Sequence, residues 1–261
     1  MHRSFPQLPE AIRRAGQFAA GLRFNSVTPV EIGGSRYVRK SRLHRAAILT
    51  PLANWYAAGT GMMMRVLSRP VWLRHEVAMY RLLLAREAQV VRGMLLLPRL
   101  PGRPLSCLLQ ESRGFTQVLE RGLRLAVTEL ARLHGCWTPH PWHGGLQRFS
   151  HADATIRNVL IDADREQAHW IDFDTTHPAG LAPSVRHADD LLTLICGTAA
   201  TLPPADYPRL CEVVVRDYRS RPVTEALENL LRRWDQHPVA RRLALPSLED
   251  HEWRRLRQVV R

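Results

Sequence analysis

The sequence predicts an α+β protein with two lobes, a small β-rich lobe followed by a mainly helical one. Short strand-like segments surround one long helical segment in the first part, at residues 1–101, whereas helical periodicity dominates the second part, at residues 102–261. In addition, 45% of the 261 residues are apolar. This content is enough for a sizeable core and excludes a largely disordered chain.

Four segments make up the predicted first lobe. The stretch TPVEIGGSRYVRK predicts two short strands joined at Gly33 and Gly34, because such a glycine pair between apolar runs is a hairpin signal. An irregular insert is predicted at 42–70, which contains Pro51 and Gly59. The segment VWLRHEVAMYRLLLAREA has apolar residues at helical spacing and predicts a helix, and MLLLPRLPGRPL predicts a short strand that leads into a linker.

The predicted second lobe begins with a helix at 117–134, which has the sequence QVLERGLRLAVTELARLH. A loop rich in Pro, His, Gly and Trp follows it. Two short apolar segments, NVLID and AHWIDFD, predict a small hairpin. Residues 185–261 are predicted to be mostly helical, with turns at their prolines.

The charge of the chain is concentrated in its first part. The sequence has 37 basic and 24 acidic residues, a net charge of +13. The first 110 residues contain 17 basic and four acidic side chains and therefore carry the whole excess. This asymmetry predicts an anionic partner, which could be a membrane surface, a phosphorylated substrate or nucleic acid. Nucleic acid is the least expected, because no reading helix, zinc finger or aromatic-rich basic motif is visible.

Lysine occurs once in the sequence, at position 40, and every other basic residue is an arginine. Lysine supplies a compact point charge on a flexible stem, which an arginine guanidinium does not copy at a tight site. Lys40 is therefore a candidate for a specific role. Composition alone leaves chance survival of one lysine as the alternative.

Several classes of protein are not expected. The charge-free stretch at 46–64 is too polar for a membrane-spanning helix, and the first residues lack the apolar block of a secretory signal. The four cysteines lie far apart and form no CxxC pair. They predict the reduced thiols of a cytosolic protein and neither a zinc site nor a disulfide framework.

The segment SHADATIRNVLIDADREQAHWIDFDTTHP contains the residue types that phosphoryl transfer needs. Asn158 follows Asp153 by five residues, and Asp172 follows fourteen residues later. A hairpin between the two apolar runs would bring Asn158 and Asp172 to neighbouring strand ends, where their oxygens could hold Mg²⁺ on nucleotide phosphates. Asp153, in the preceding loop, could accept the proton of an attacking hydroxyl group.

These residues resemble the protein-kinase-like superfamily. A His-x-Asp-x-x-x-x-Asn motif begins at His151 and is similar to the family's catalytic loop. An Asp-Phe-Asp motif begins at Asp172 and is similar to its metal-binding loop. The resemblance covers residues 27–195 and implies a two-lobed protein-kinase-like fold with ATP and Mg²⁺ between the lobes.

The resemblance also implies roles in nucleotide binding. Lys40 would hold the α- and β-phosphates of ATP, and Glu76, on the first predicted helix, would orient Lys40. Gly33 and Gly34 stand where the family has its phosphate-covering loop, although the GxGxxG pattern is absent. The linker after the predicted strand at MLLLP would cradle the adenine.

In the second lobe, the resemblance implies Asp153 and His151 as the catalytic residues and assigns the metal to Asn158 and Asp172. Asp174 is either a further metal ligand or a cap for the next segment. Asp189 is the candidate for the family's aspartate that supports the catalytic loop, although Asp189 and its neighbour could instead cap a helix start. Thr155 stands where protein kinases commonly have a lysine.

The acceptor is predicted from the short distance between Asp172 and Asp189, which are seventeen residues apart. This spacing leaves no room for the activation segment and peptide-docking elements of a protein kinase. The phrases HADATIRNVLID and WIDFD are most similar to bacterial lipopolysaccharide kinases, which phosphorylate sugar hydroxyls of a membrane-embedded glycolipid. The resemblance therefore implies an ATP-dependent kinase with a sugar or glycolipid acceptor, located in the cytoplasm at the inner face of the bacterial inner membrane.

The insert at 42–70 is compatible with contact to an anionic membrane surface, because Trp55 and Tyr56 lie between Arg45 and Arg65, as in an interfacial segment. Packing between the lobes is the alternative for this insert. Three other functions stay open for the whole chain: a soluble phosphotransferase of the aminoglycoside or choline type, an atypical serine/threonine protein kinase, and a catalytically inactive kinase-fold scaffold.

Overall fold

The computed structural model describes residues 24–233, apart from 60 and 113, together with positions 251, 254 and 258. Residues 1–23 and most of the chain beyond 233, which belong to the two predicted lobes, lie outside the described residues. Within the described part, the protein is α+β, as the sequence predicts. An antiparallel sheet with one packed helix precedes a region made mostly of helices, an order compatible with the predicted two lobes.

The first sheet has four antiparallel strands in the order β1-β2-β5-β4. Its strands are β1 (Asn25–Ile32), β2 (Ser35–Arg42), β4 (Gln89–Val91) and β5 (Met94–Pro98). The predicted hairpin is confirmed, with Ile32 opposite Ser35 across the turn. Gly33 and Gly34 have φ values of +57° and +76°, the left-handed conformation that both central residues of a tight two-residue hairpin require.

The predicted insert at 42–70 contains a helix, which corrects the prediction of irregular structure. This helix, α1 (Ala46–Gly59), has Pro51 inside it, which is the residue that argued against a helix. Pro51 is exposed, so the backbone carbonyl that loses its partner to the proline can be solvated. A two-residue strand, β3 (Arg65–Val66), follows α1.

The second helix, α2 (Arg69–Leu84), packs on the sheet through one buried face. The members of this face are Trp72, Glu76, Met79, Tyr80 and Leu83. The sequence predicted a helix at 71–88, and the helix ends four residues earlier. Ala85 adopts a left-handed conformation with φ of +50° and terminates the helix, and β4 then begins at Gln89.

The linker between the two regions packs closely against a second small sheet. In this sheet, β6 (Arg103–Pro104) and β10 (Gln167–Trp170) flank β9 (Val159–Asp162) in an antiparallel arrangement. Gly102 has φ of +99°, and a β-carbon there would lie 2.7 Å from the Ile161 backbone. The linker can therefore approach the sheet only with a glycine at this position.

Five helices form most of the second region: α3 (Leu105–Glu111), α4 (Gln117–His134), α5 (Pro183–Ala199), α6 (Tyr207–Tyr218) and α7 (Arg221–Arg233). The prediction of a helix at 117–134 is confirmed. Short pairs β7 (Trp137–Pro139) with β8 (Leu146–Arg148), and β11 (Thr175–Thr176) with β3, complete the described strands. One contiguous apolar core runs from Leu67 and Trp72 through the helices to Leu231.

No helix among the described residues is both long enough and apolar enough to cross a membrane.

Candidate functional site

Lys40 and Glu76 form a buried ion pair between the first sheet and α2. Lys40 lies near the end of β2, opposite Leu95 of β5. Its Nζ is 2.9 Å from Oε1 and 2.7 Å from Oε2 of Glu76. The indole of Trp72, one turn earlier on α2, donates to Glu76 Oε2 over 2.6 Å. Glu76 is therefore fixed by two donors, and it holds the lysine in turn.

Asp172 is the second carboxylate bound to Lys40. Its Oδ1 is 2.5 Å from Lys40 Nζ, and its side chain is 35% exposed, whereas that of Lys40 is 4% exposed. Burial lowers the pKa of Lys40, but the charges of Asp172 and Glu76 outweigh this effect and raise it. Burial raises the pKa of Asp172, but Lys40 outweighs this effect and lowers it. The lysine is therefore held as a cation beside an ionised aspartate that is open on one side.

The predicted hairpin between NVLID and AHWIDFD is confirmed, and it brings Asn158 and Asp172 to neighbouring strand ends. Val159 lies opposite Trp170 in the pair β9–β10. One step beyond this pair, the Ile171 N–H donates to the Asn158 carbonyl over 2.8 Å. Asp172 then adopts a left-handed conformation with φ of +69°, which turns the chain away from the sheet.

Asp153 is positioned by Asn158. The Asn158 amide Nδ2 is 2.9 Å from Asp153 Oδ2 and 3.0 Å from the Asp153 carbonyl oxygen, and the hydrogen bond from Thr155 N–H to the same carbonyl tightens the loop. Burial, with contributions from the charges of Asp174 and Asp172, raises the pKa of Asp153 to about 8. A carboxyl group with a pKa in this range is suited to accept a proton near neutral pH.

His151 connects this loop to the segment before Asp172. Its Nε2 is 2.9 Å from the Ile171 carbonyl, and its ring packs on Phe173 and Trp170. The side chain is buried and its Nδ1 has no hydrogen-bond partner. The contacts of His151 are therefore those of a residue that positions the backbone around Asp153 and Asp172.

Asp190, and not Asp189, supports the loop that contains His151. Asp190 accepts the backbone N–H groups of His151 and Ala152, both over 2.7 Å. Its Oδ2 also lies 3.0 Å from Nε2 of His134, the last residue of α4. The neighbouring Asp189 instead lies 3.2 Å from His177. The predicted helix-start cap is wrong for both aspartates, because α5 begins at Pro183.

Adjacent residues on a helix point about 100° apart, so only one of these two aspartates can face the loop. Which one does so depends on the rotation of the helix about its axis, and the sequence does not give that rotation. The structure gives the reason for the correct choice. Ala152 has φ of +64°, a strained conformation that a firm partner on its N–H helps to hold, and Asp190 is that partner.

Asp174 is tied to the first sheet. Its Oδ2 lies 3.1 Å from Arg42 Nη1 and 2.8 Å from Asn25 Nδ2. Arg42 also donates to the Leu67 carbonyl, and the Leu67 N–H donates to the Asp174 carbonyl over 2.9 Å. Asp174 precedes the short strand β11 and caps no helix. Sequence reasoning did not identify Arg42 as the partner of Asp174.

Gly33 and Gly34 are not brought to the other predicted site residues. They form the exposed tip of the β1–β2 hairpin, six residues along β2 from Lys40. At roughly 3.3 Å per residue, this separation is about 20 Å. The two glycines therefore lie at the opposite end of the strand from the lysine.

Asn158 and Asp172 are the residues that could hold a divalent cation. The Nδ2 of Asn158 donates to Asp153, so its amide oxygen is the atom that can coordinate a metal. The Asp172 carboxylate is partly exposed and can do the same. Mg²⁺ prefers oxygen ligands and is usually bound by only one or two protein groups. Water and phosphate oxygens complete its coordination shell. Among the described residues, no group of three or more His, Cys, Asp or Glu side chains is arranged to hold a metal ion.

No protein-family model and no curated protein matches this chain. The site must therefore be interpreted from its own geometry. That geometry combines a buried cation, an adjacent open carboxylate and an amide-positioned carboxyl group with a raised pKa. It can bind an anionic phosphate at Lys40 and accept a proton at Asp153.

Proposed function

We propose that this protein is an ATP-dependent phosphotransferase of the protein-kinase-like type, which transfers the γ-phosphate of ATP to a hydroxyl group of a sugar or glycolipid. The observation that carries the proposal is Lys40, which lies within 2.9 Å of Glu76 and 2.5 Å of Asp172 although the three residues are far apart in the sequence. A cation held in this way is positioned for nucleotide phosphates.

Each group of the site has a role in this proposal. Lys40 binds the α- and β-phosphate oxygens, and Glu76 keeps Lys40 in place. Asn158 and Asp172 would hold Mg²⁺, which when bound neutralises charge on the phosphates. Asp153 orients the acceptor hydroxyl and accepts its proton. A bond forms between the acceptor oxygen and the γ-phosphorus, the bond from that phosphorus to the β–γ bridging oxygen breaks, and ADP leaves.

The segment after Asp172 favours a small or glycolipid acceptor over a protein. Helix α5 begins at Pro183, so only residues 173–182 connect it to Asp172. Two of these residues form β11 against β3. A peptide-docking activation segment has no place in a connection of this length.

Asp153→Asn tests the proposal. We expect it to reduce phosphate transfer at least about 100-fold, the usual minimum for loss of a general base. Nucleotide binding should persist, because Lys40 and Asp172 are unchanged. Transfer is measured with γ-labelled ATP and a panel of lipopolysaccharide inner-core glycolipids, aminoglycosides, choline and a basic protein, and binding as the Mg²⁺-dependent rise in melting temperature with ATP.

Asp164→Asn is the matched control, because Asp164 is exposed in the turn between β9 and β10. It should leave both measurements unchanged. A folded wild-type protein that shows no Mg²⁺-dependent thermal shift with ATP would overturn the proposal. Transfer to choline or an aminoglycoside, with none to a glycolipid, would reassign the acceptor class.

A further inference from the structure

Helix α1 has three large apolar side chains on its solvent side, whereas Leu49 and Tyr56 are half-buried. Ile48, Leu52 and Trp55 are 71%, 55% and 77% exposed. The residues that α1 buries are small, namely Ala46, Thr50 and Ala57. An ordinary surface helix has the opposite arrangement, with its large apolar residues against the core. Packing among the residues that the structure describes therefore does not explain the exposed face of α1.

The three exposed residues form one continuous row. Spacings of four and three residues place Ile48, Leu52 and Trp55 on the same side of a helix, over a length of about 10 Å. No charged residue occurs anywhere in α1. An uncharged row that ends in a tryptophan is typical of segments that lie at the boundary between lipid headgroups and acyl chains.

Helix α1 is held firmly beside the candidate site. The Asn54 side chain accepts the Val66 N–H over 2.7 Å and donates to the Val66 carbonyl over 2.9 Å. Val66 pairs with Thr175 of β11, and the next residue, Leu67, bonds the Asp174 backbone. The apolar row therefore lies on a helix linked through one strand pair to the loop that contains Asp172 and Asp174.

The sequence around α1 carries only positive charge. No acidic residue occurs at 32–75, a span that contains eight basic residues. Two of them, Lys40 and Arg42, have buried side chains in the candidate site. The exposed members are Arg36, Arg39, Arg45, Arg69 and Arg74. A stretch of chain with this excess of positive charge is attracted to an anionic bilayer and would repel a second copy of itself.

From these observations we infer that the exposed face of α1 binds an anionic lipid bilayer, with Ile48, Leu52 and Trp55 inserted at the interface and the positive charge of residues 32–75 attracting the headgroups. Trp55 supplies the amphipathic ring that such an interface favours. If the acceptor is a glycolipid, this docking would hold the site beside its headgroup. That last step rests on the proposed function, whereas the docking itself does not.

Vesicle flotation of the full chain tests the inference. We expect the wild-type protein to float with vesicles that contain phosphatidylglycerol and phosphatidylcholine, and to float less at high salt because headgroup attraction is screened. The variant Ile48→Gln/Leu52→Gln/Trp55→Gln should reduce the floating fraction at least tenfold. These residues are exposed and Gln is a good helix former, so the variant should fold.

Val118→Gln/Leu146→Gln is the matched control, because these apolar residues are 63% and 70% exposed on other elements. It should float like the wild-type protein. A wild-type protein that does not float, or a triple variant that floats normally, would overturn the inference. A wild-type dimer that the triple variant converts to a monomer would assign the face to a second copy instead.

Two further measurements separate this inference from the proposed activity. The Mg²⁺-dependent thermal shift with ATP should be the same in the wild-type protein and the triple variant, so a failure of flotation and a failure of nucleotide binding are distinguishable. Brominated lipids should quench tryptophan fluorescence in the wild-type protein. Trp55→Phe should lose most of this quenching and keep its flotation, and unchanged quenching would contradict insertion of Trp55.

Discussion

Two aspartates eighteen residues apart, Asp172 and Asp190, are both held ionised inside the protein, and they differ in what surrounds them. Asp190 has no exposed surface and accepts two backbone N–H groups and the His134 side chain. Asp172 has a side chain that is 35% exposed, and among the described residues its hydrogen-bonded cation is Lys40. Burial raises the pKa of both, and their partners outweigh it and lower both.

The difference shows which carboxylate can take part in chemistry. The oxygens of Asp190 are occupied by donors that the backbone and α4 fix in place, so Asp190 positions the loop around His151 and has nothing left for a ligand. Asp172 shares a flexible lysine with Glu76 and is open to solvent on one side. A phosphate or a metal ion can therefore approach Asp172 without breaking the fold.

The largest effect is expected from Asp190→Ala. Two backbone N–H groups and His134 would be left buried without an acceptor, which costs about 3–5 kcal/mol by analogy with a broken buried ion pair. Urea unfolding followed by circular dichroism measures this loss. Asp164→Ala, at an exposed turn, is the control and should change the free energy of unfolding by no more than about 0.5 kcal/mol. Equal stability of Asp190→Ala and wild type would refute the structural role.

The second prediction concerns the pair Lys40 and Glu76. Substitutions of the two residues should have non-additive effects on the free energy of unfolding, whereas nucleotide binding should depend on Lys40. Lys40→Met leaves the buried Glu76 and the partly exposed Asp172 without their cation, and Glu76→Gln in the same chain removes one of the two charges. We expect the double variant to recover part of the stability, with a coupling energy of up to about 3 kcal/mol.

Nucleotide binding should not recover in that double variant, because the cation is still missing. The thermal shift with ATP and Mg²⁺ measures it beside the unfolding curves. Lys40→Arg is the companion variant, and its planar guanidinium should also bind nucleotide poorly. Normal ATP binding by Lys40→Met would show that Lys40 has only a structural role. Asp172 and its lysine would then be structural in the same way as Asp190 and its partners.

The smallest effect is expected from pH. Burial, followed by the charge of His134, lowers the pKa of His187 from 6.5 to about 3, and burial lowers that of His75 to about 4. Below pH 6.5, these two histidines are therefore protonated in the unfolded chain while they stay neutral in the folded protein. The contribution of these histidines to stability should be full above pH 6.5 and fall as the pH is lowered, by about 2 kcal/mol at pH 5 for His187 alone. Asp153 acts in the opposite direction, because its raised pKa means that the folded protein binds this proton more tightly than the unfolded chain does.

Unfolding by urea at several pH values measures this slope. His187 stacks on His134 at 3.9 Å and lies 2.9 Å from the Phe149 carbonyl through its Nε2. His187→Gln keeps a donor and does not titrate, so its stability should change less between pH 6.5 and 5. The same slope in this variant and in the wild type would show that other groups dominate. Asp190 acts in the same direction at lower pH, because its pKa is lowered.

Within the candidate site, the sequence predicted the local geometry where the signal is local. Asp153 and Asn158 are five residues apart in one loop, and the alternating apolar runs after them fix the hairpin that ends at Asp172. The pair Lys40 and Glu76 was predicted across 36 residues only through the family resemblance. The prediction that Asp189 supports the catalytic loop was wrong by one residue. Both Asp189 and its neighbour Asp190 are buried, so the periodicity of α5 does not distinguish them.

Helix α1 and the tip of the β1–β2 hairpin are two regions where the sequence patterns predicted the structure incompletely. Pro51 and Gly59 made α1 look irregular, yet it forms a helix, which the Asn54 bonds to Val66 attach to β3. Gly33 and Gly34 were correctly placed in a turn. The length of β2 puts that turn about 20 Å from Lys40, a distance that depends on where the strand begins and ends.

By itself, the sequence determined the α+β class, the α4 helix and both hairpins, because these depend on periodicity and on contacts between near neighbours. The roles of the site residues stay predictions. The tertiary structure alone decided which aspartate supports the loop, which carboxylate stays open, and that Ile48, Leu52 and Trp55 face solvent. Burial depends on what the rest of the chain places over a residue, and no local pattern contains that information.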